Sequence, residues 1–193
     1  MNKTRIEAFS DGVLAIIITI MVLEIKAPEE DSFESLRHLI PVFLSYILSF
    51  LYVGIYWNNH HHMFQVVKKV NGSILWGNLF LLFWLSLIPF ATSWIGEHHF
   101  AATPMSIYGF VLLMCAIAYN LLQNKIIKLE GKDSILHRAV EKDLKGKISA
   151  LAYLLAIPLA FASPWISGLI YIAVAMLWIV PDSRIEKLLN SKS

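Results

Sequence analysis

The chain reads as an all-α membrane protein with six transmembrane helices, and three features of the sequence say so. Hydrophobic residues fill 57% of its 193 positions and charged residues only 16%, where a soluble domain is roughly a quarter charged. The apolar residues are gathered into runs of ~17–25 positions, the length that crosses the hydrocarbon of a bilayer. Between the runs, acidic and basic connections alternate, as loops on opposite sides of a membrane do. The expectation is one domain, residues 1–193, embedded in membrane lipid.

The first run lies near 5–26 and opens on "TRIE", where Thr4 and Glu7 have the spacing of a capping box. From Thr4 to Ile25 a helix is about 32 Å long, enough to span. Its basic start is reminiscent of a secretory leader, but Glu7 and Asp11 interrupt the front and "LEIKAPEE" has no small-x-small cleavage site, so a retained helix is expected. The next runs lie near 39–64, 74–96, 104–127, 147–163 and 165–181. The last two are short and meet at Ser163-Pro164, which suggests a tight helical hairpin.

Within the linker 133–146, "DSILHRAVEKDLKG", the apolar Leu136, Val140 and Leu144 recur at every fourth position beside Ile135 and Ala139. That pattern suits a basic amphipathic helix on the membrane surface, and a solvated connector equally well. No internal repeat suggests the inverted halves of a secondary carrier. The single cysteine, Cys115, falls in an apolar run, so no disulfide framework is possible.

Orientation follows from lysine and arginine. Glu29, Glu30, Asp31 and Glu34 dominate the first connection, and Glu97 with two histidines the third. Lys68 and Lys69 mark the second, and the fourth carries Lys125, Lys128, Lys132, Arg138, Lys142, Lys145 and Lys147. The tail adds Arg184, Lys187 and Lys192. Both termini are therefore expected in the cytoplasm, with the protein in the cell membrane.

Asp11 sits two turns inside the first helix, where a carboxylate is expensive unless something holds it. The topology brings Arg5, Ser10 and Asp11 of the first helix, "YWNNHHHMF" at the end of the second and Asn78 at the start of the third to one depth. An arginine, a carboxylate, an imidazole and an amide buried together can satisfy one another. Alternatively, Arg5 and the histidines reach the headgroups and Asp11 is wetted there. His60, His61 and His62 point about 100° apart, and no i, i+4 histidine pair exists, so no metal site is expected. Gly-rich phosphate loops, G-x-S-x-G and paired catalytic carboxylates are absent, which argues against an enzyme. Neither a cofactor nor a nucleic-acid partner is expected.

Beyond Gly12 the first helix carries Ile16, Thr19, Ile20 and Leu23 at i, i+3, i+4, i+7. Any buried transmembrane helix has such a stripe, so spacing alone leaves core packing and pore lining both open.

Arg5-x-x-x-Phe9-Ser10-Asp11-Gly12 resembles the signature of the transmembrane protein 175 family, the endolysosomal potassium channel and its bacterial relatives. Trp57-x-x-His60 with Phe64, then "GNLFLLFWLSLIPF" with Asn78, Pro89 and Phe90, follow in matching order, so the similarity covers residues 5 to about 96. Later segments agree in hydropathy only. The resemblance implies six helices per subunit with no re-entrant potassium-channel pore loop, and no T-V-G-Y-G run occurs here. It implies a homotetramer built around the first helix, whose bulky apolar residues close the pore. By position Ile16 corresponds to the constricting residue, and Thr19, Ile20 and Leu23 to its pore-facing neighbours. Arg5, Ser10, Asp11, His60 and Asn78 correspond to a polar cluster tying the first helix to the next two. The tripled histidine departs from the pattern and leaves open whether His60 or His61 faces that cluster.

The implied function is a modestly selective, potassium-permeable cation channel with a hydrophobic gate. K+ is the expected permeant ion, with Na+, Cs+ and H+ as further candidates. An aliphatic ring gates by excluding water and offers no carbonyl cage, and Thr19 is the one hydroxyl on that face. The rivals are a proton-coupled carrier or proton leak pathway, and a non-conducting membrane scaffold. A carrier should show charged or broken-helix sites at the midplane, where this first helix is aliphatic.

Overall fold

A computed structural model describes residues 3–28, 30–131, 133–140 and 143–179. The end of the sixth run at 180–181, the basic tail, Glu29, Lys132, Glu141 and Lys142 lie outside the described residues. The regular structure of the described residues is all helical: α1 Lys3–Leu23, α2 Phe33–Arg37, α3 Ile40–Gln65, α4 Gly72–Leu85, α5 Ile88–Glu97, α6 Ala102–Glu130, α7 Ile135–Val140, α8 Leu144–Ala162 and α9 Pro164–Ile179. Among the described residues, five spans are long and apolar enough to cross a membrane: α1, α3, α4 with α5 taken together, α6 and α8. The sixth apolar helix, α9, has 16 described residues and falls short of that length.

Proline decides where the helices start and break. Pro41 lies in the first turn of α3, and Pro164 opens α9, positions where a missing amide hydrogen costs nothing. The third apolar run, expected as one helix over 74–96, is divided into α4 and α5 because Pro89 has no N–H for the Leu85 carbonyl. Around the break the Ser86 amide still reaches the Leu82 carbonyl at 2.9 Å, while the Leu87 amide shortens its reach to Trp84 at 3.2 Å. The Ser86 hydroxyl donates to the Phe83 carbonyl at 2.7 Å, which the turn of the Leu87 amide toward Trp84 leaves free. The capping-box reading of Thr4 fails: α1 already includes Lys3, which places Thr4 inside the helix. The linker 133–146 is likewise not one amphipathic helix. α7 ends at Val140, and Asp143 caps a new helix, its carboxylate accepting the Gly146 amide at 3.0 Å. Leu136 is buried in the core while Leu144, on α8, is exposed, so the two do not share an apolar face.

The bundle has two halves. α6 packs against α4, α5, α8 and α9, whereas α1 packs on α3, α4 and α5. Close approach of α5 to α3 requires Gly96, since a Cβ there would stand 2.8 Å from the Val42 Cα. Tyrosines fill the interior of the second half. The Tyr52 hydroxyl donates to the Tyr171 carbonyl at 2.6 Å, Tyr153 donates to the Tyr52 hydroxyl at 3.2 Å, and Tyr171 donates to the Met105 carbonyl at 2.9 Å.

One end of the bundle gathers the α1 N-terminus, the α3 and α6 C-termini and the starts of α4 and α8. Lys3 Nζ donates to the Gln65 carbonyl at 3.3 Å, and Glu130 Oε1 accepts the Lys68 and Lys69 amides at 2.8 and 3.0 Å. At the opposite end Ser93 donates to Glu24 and Glu97, at 3.5 and 3.3 Å. The basic and acidic connections are thus separated by the length of the bundle.

Candidate functional site: the two faces of the first helix

α1 has one face turned to its neighbours and one turned away. Ile6, Ser10, Leu14, Ile17 and Met21 recur at steps of three and four and are buried against the bundle. The opposite side presents Phe9, Ile16, Thr19, Ile20 and Leu23, all exposed, with Ile16 at 58% and Leu23 at 76%. The four residues of the predicted stripe therefore lie on one unpartnered face of the subunit. Ile16 and Leu23 are about 10 Å apart along the axis, at ~1.5 Å rise per residue.

Thr19 is the polar exception on that stripe. Its hydroxyl donates to the Ile16 carbonyl at 2.8 Å, a bond to the i−3 position that spends the hydrogen within the helix. What it turns outward is an oxygen with lone pairs, the half of a hydroxyl that suits a cation.

At the α1 N-terminal end, three of the five predicted network residues join. Asn78 Nδ2 donates to Ser10 Oγ at 2.9 Å, and Asn78 Oδ1 lies 2.8 Å from His60 Nε2, which makes that ring nitrogen the donor. All three side chains are buried, and the His60 ring stacks on Phe64 with centroids 4.5 Å apart. This relay clamps α1, α3 and α4 together. His61 is exposed, bonds Gln65 at 2.9 Å and stacks on Trp57, while His62 is half-buried, so His60 is the histidine of the cluster.

Arg5 and Asp11 stand outside it. Both are exposed, and among the described residues no ion pair links them. Asp11 is held instead by Trp57, whose indole N–H donates to Oδ1 at 3.0 Å. In the sequence Trp57 stands out only as part of Trp57-x-x-His60. Its chemistry was available there, because an indole near the membrane boundary has one donor and needs an acceptor. Among the described residues, no three histidine, cysteine or acidic side chains converge as a metal site would require.

Residues 5–89 match the family described as Endosomal/lysosomal potassium channel TMEM175. A protein of Chryseobacterium sp. (strain P1-3), named a potassium channel, is 60% identical over 98% of this chain and 99% of its own length. The chain belongs to the TMEM175 family. Members of this family are ion channels rather than enzymes. The crystal structure of a TMEM175 homolog from Chamaesiphon minutus, described as a lysosomal potassium-selective channel, is similar over 93% of this chain and 97% of its own, at TM-score 0.81 and 32% identity. The rat protein named endosomal/lysosomal proton channel TMEM175 is 31% identical over 65% of this chain but only 26% of itself. The likeness to the Chamaesiphon chain extends into the segments where no motif was legible.

Proposed function

We propose that this TMEM175 chain is a potassium-permeable, modestly selective cation channel of the cell membrane, assembled as a homotetramer with α1 lining the pore. The observation that carries the reading is the division of α1 into a packed face and an unpartnered one bearing Ile16, Thr19, Ile20 and Leu23. One such stripe cannot enclose a path, but a symmetric ring of four can. Ile16 forms the narrowest ring, with Leu23 a second apolar ring toward the acidic end. A narrow aliphatic neck excludes water and so bars a hydrated cation until it widens. Between the two rings the Thr19 oxygens supply what polarity there is, and selectivity for K+ over Na+ is modest. Arg5 and Asp11 lie at the basic end of the pore helix, where the bond from Trp57 of α3 holds Asp11, so that it serves the fold rather than acting as an ion ligand.

Purified protein reconstituted in liposomes provides the test. Channel-rate K+ flux, with smaller Na+ flux, is expected; saturable exchange would make it a carrier, and no flux from intact oligomers a scaffold. Proton permeation is the second reading, favoured by the names of the animal relatives. Collapse of a pH gradient in the absence of K+ would establish it.

The segregation of basic and acidic connections supports both termini being cytoplasmic. Cys115 is fully buried and gives little background. Single cysteines at Glu30 and at Ser134 should therefore label from opposite sides of intact cells, and labelling of both from outside would overturn the orientation.

A further inference from the structure

Away from α1, the basic end of the second half contains a cavity between α3, α6, α8 and α9. Water centres can range over about 40 Å³ of it, room for two or three molecules. Its walls are the rings of Tyr52, Tyr56, Tyr119, Tyr153 and Trp178, interspersed with Asn59, Asn120, Asp143 and Ser149. Ring faces carry negative potential, and the Asp143 carboxylate adds a negative charge to the same walls.

Many of the hydrogens on these walls are already engaged. Asn59 Nδ2 donates to the Ile55 carbonyl at 2.8 Å and Asn120 Nδ2 to the Ala116 carbonyl at 3.3 Å, which leaves each amide its oxygen and one N–H. Tyr119 donates to the Asn59 carbonyl at 3.1 Å, and Tyr153 and Tyr52 donate along their own chain to the Tyr171 carbonyl. The Trp178 indole donates to Ser149 Oγ at 2.8 Å, and that hydroxyl donates to the Lys145 carbonyl at 2.8 Å. Asp143 Oδ1 takes the Gly146 amide, and its other oxygen is left. A lining rich in acceptors and π-faces complements a cation that brings N–H donors. The chain itself puts one such group at this wall, with Lys145 Nζ 5.8 Å from the centre of the Trp178 ring.

We propose that this cavity binds a primary alkylammonium group, as carried by a small free amine or by an ethanolamine lipid headgroup. The oxygens of Asn59, Asn120 and Asp143 accept its hydrogens while the tyrosine and tryptophan faces surround the alkyl carbon next to the nitrogen. Three such oxygens are too few for a bare hard metal cation, which takes about six or more. The site lies on the turn of α3 whose other side carries Trp57 and His60, so its occupant braces the segment that clamps α1.

The test is calorimetric titration of the full-length purified oligomer at neutral pH. Ethanolamine is the probe, ethylene glycol its uncharged counterpart, and KCl the inorganic competitor. Saturable ethanolamine binding is expected, with none from ethylene glycol and no displacement by KCl. Asp143→Asn keeps the helix cap, since asparagine caps as well as aspartate, yet removes the charge and should weaken binding about tenfold. Asn120→Leu loses only an intrahelical bond and should weaken it less. A parallel titration with short-chain phosphatidylethanolamine identifies the source: binding of the lipid alone assigns a headgroup, and binding of both assigns any accessible amine. Equal binding of ethylene glycol, displacement by KCl, unchanged affinity in both variants, or no saturable binding of either amine would overturn the proposal.

Discussion

Ile16 and Ile17 are neighbours on one helix, identical in chemistry and about 100° apart in direction. Ile17 is 2% exposed and Ile16 58%. The first is held among the side chains of the bundle; the second has more than half of its surface turned away from them. Together they show that an apolar residue in a membrane helix carries no information about its role until its direction is known, because lipid, core and pore wall all accept isoleucine. The same contrast separates Ser10 from Asp11. Ser10 is buried under the Asn78 amide, and Asp11, one position on, lies exposed beneath the Trp57 indole.

Breaking the packed face should have the largest effect. Asn78→Leu leaves the Ser10 hydroxyl and the His60 ring without partners in an apolar interior. A cost of about 2–4 kcal/mol is expected, from the penalty for unpaired buried groups tempered by the modest worth of such bonds in membranes. Oligomer recovery and thermal midpoint in detergent would show it, and a variant as stable as the parent would remove the relay from the account.

Ile17→Ala comes next. In lipid the transfer term nearly vanishes, so the loss reduces to cavity and dispersion, about 1–3 kcal/mol. The same assay should rank it below Asn78→Leu.

Asp11→Asn should cost least, under about 1 kcal/mol, since the asparagine carbonyl can still accept the Trp57 hydrogen. A buried carboxylate paired with Arg5 would instead lose ~3–5 kcal/mol on losing its charge. Loss of the oligomer in this variant would therefore mean that assembly buries Asp11 against another subunit.

Much of the fold was legible because membranes impose few solutions. Run lengths located the helices, and Ser163-Pro164 the start of α9, while Pro41 at the start of α3 was an equally plain signal that went unread. The break at Pro89 was equally available, since proline must orphan the Leu85 carbonyl, but a continuous hydropathy run masked it. Of the polar cluster, Ser10 and Asn78 were legible from depth alone, His60 was singled out only by the family motif with His61 left open, and Asp11 went to the wrong partner because depth does not give rotation. The tyrosines at 52, 108, 153 and 171 passed unremarked among apolar neighbours, although each phenol in a membrane interior demands an acceptor.

The central claim is that the unpartnered face of α1 is a pore wall. K+ and Na+ flux through liposomes containing equal amounts of intact Ile16→Ala or Ile17→Ala oligomer measures it directly. Shortening Ile16 widens a dewetted neck, so K+ flux should rise by about tenfold or more with a lower K+/Na+ ratio. Ile17→Ala should leave both near the parent values. Equal changes from the two substitutions, or none from Ile16→Ala in an intact oligomer, would contradict the account.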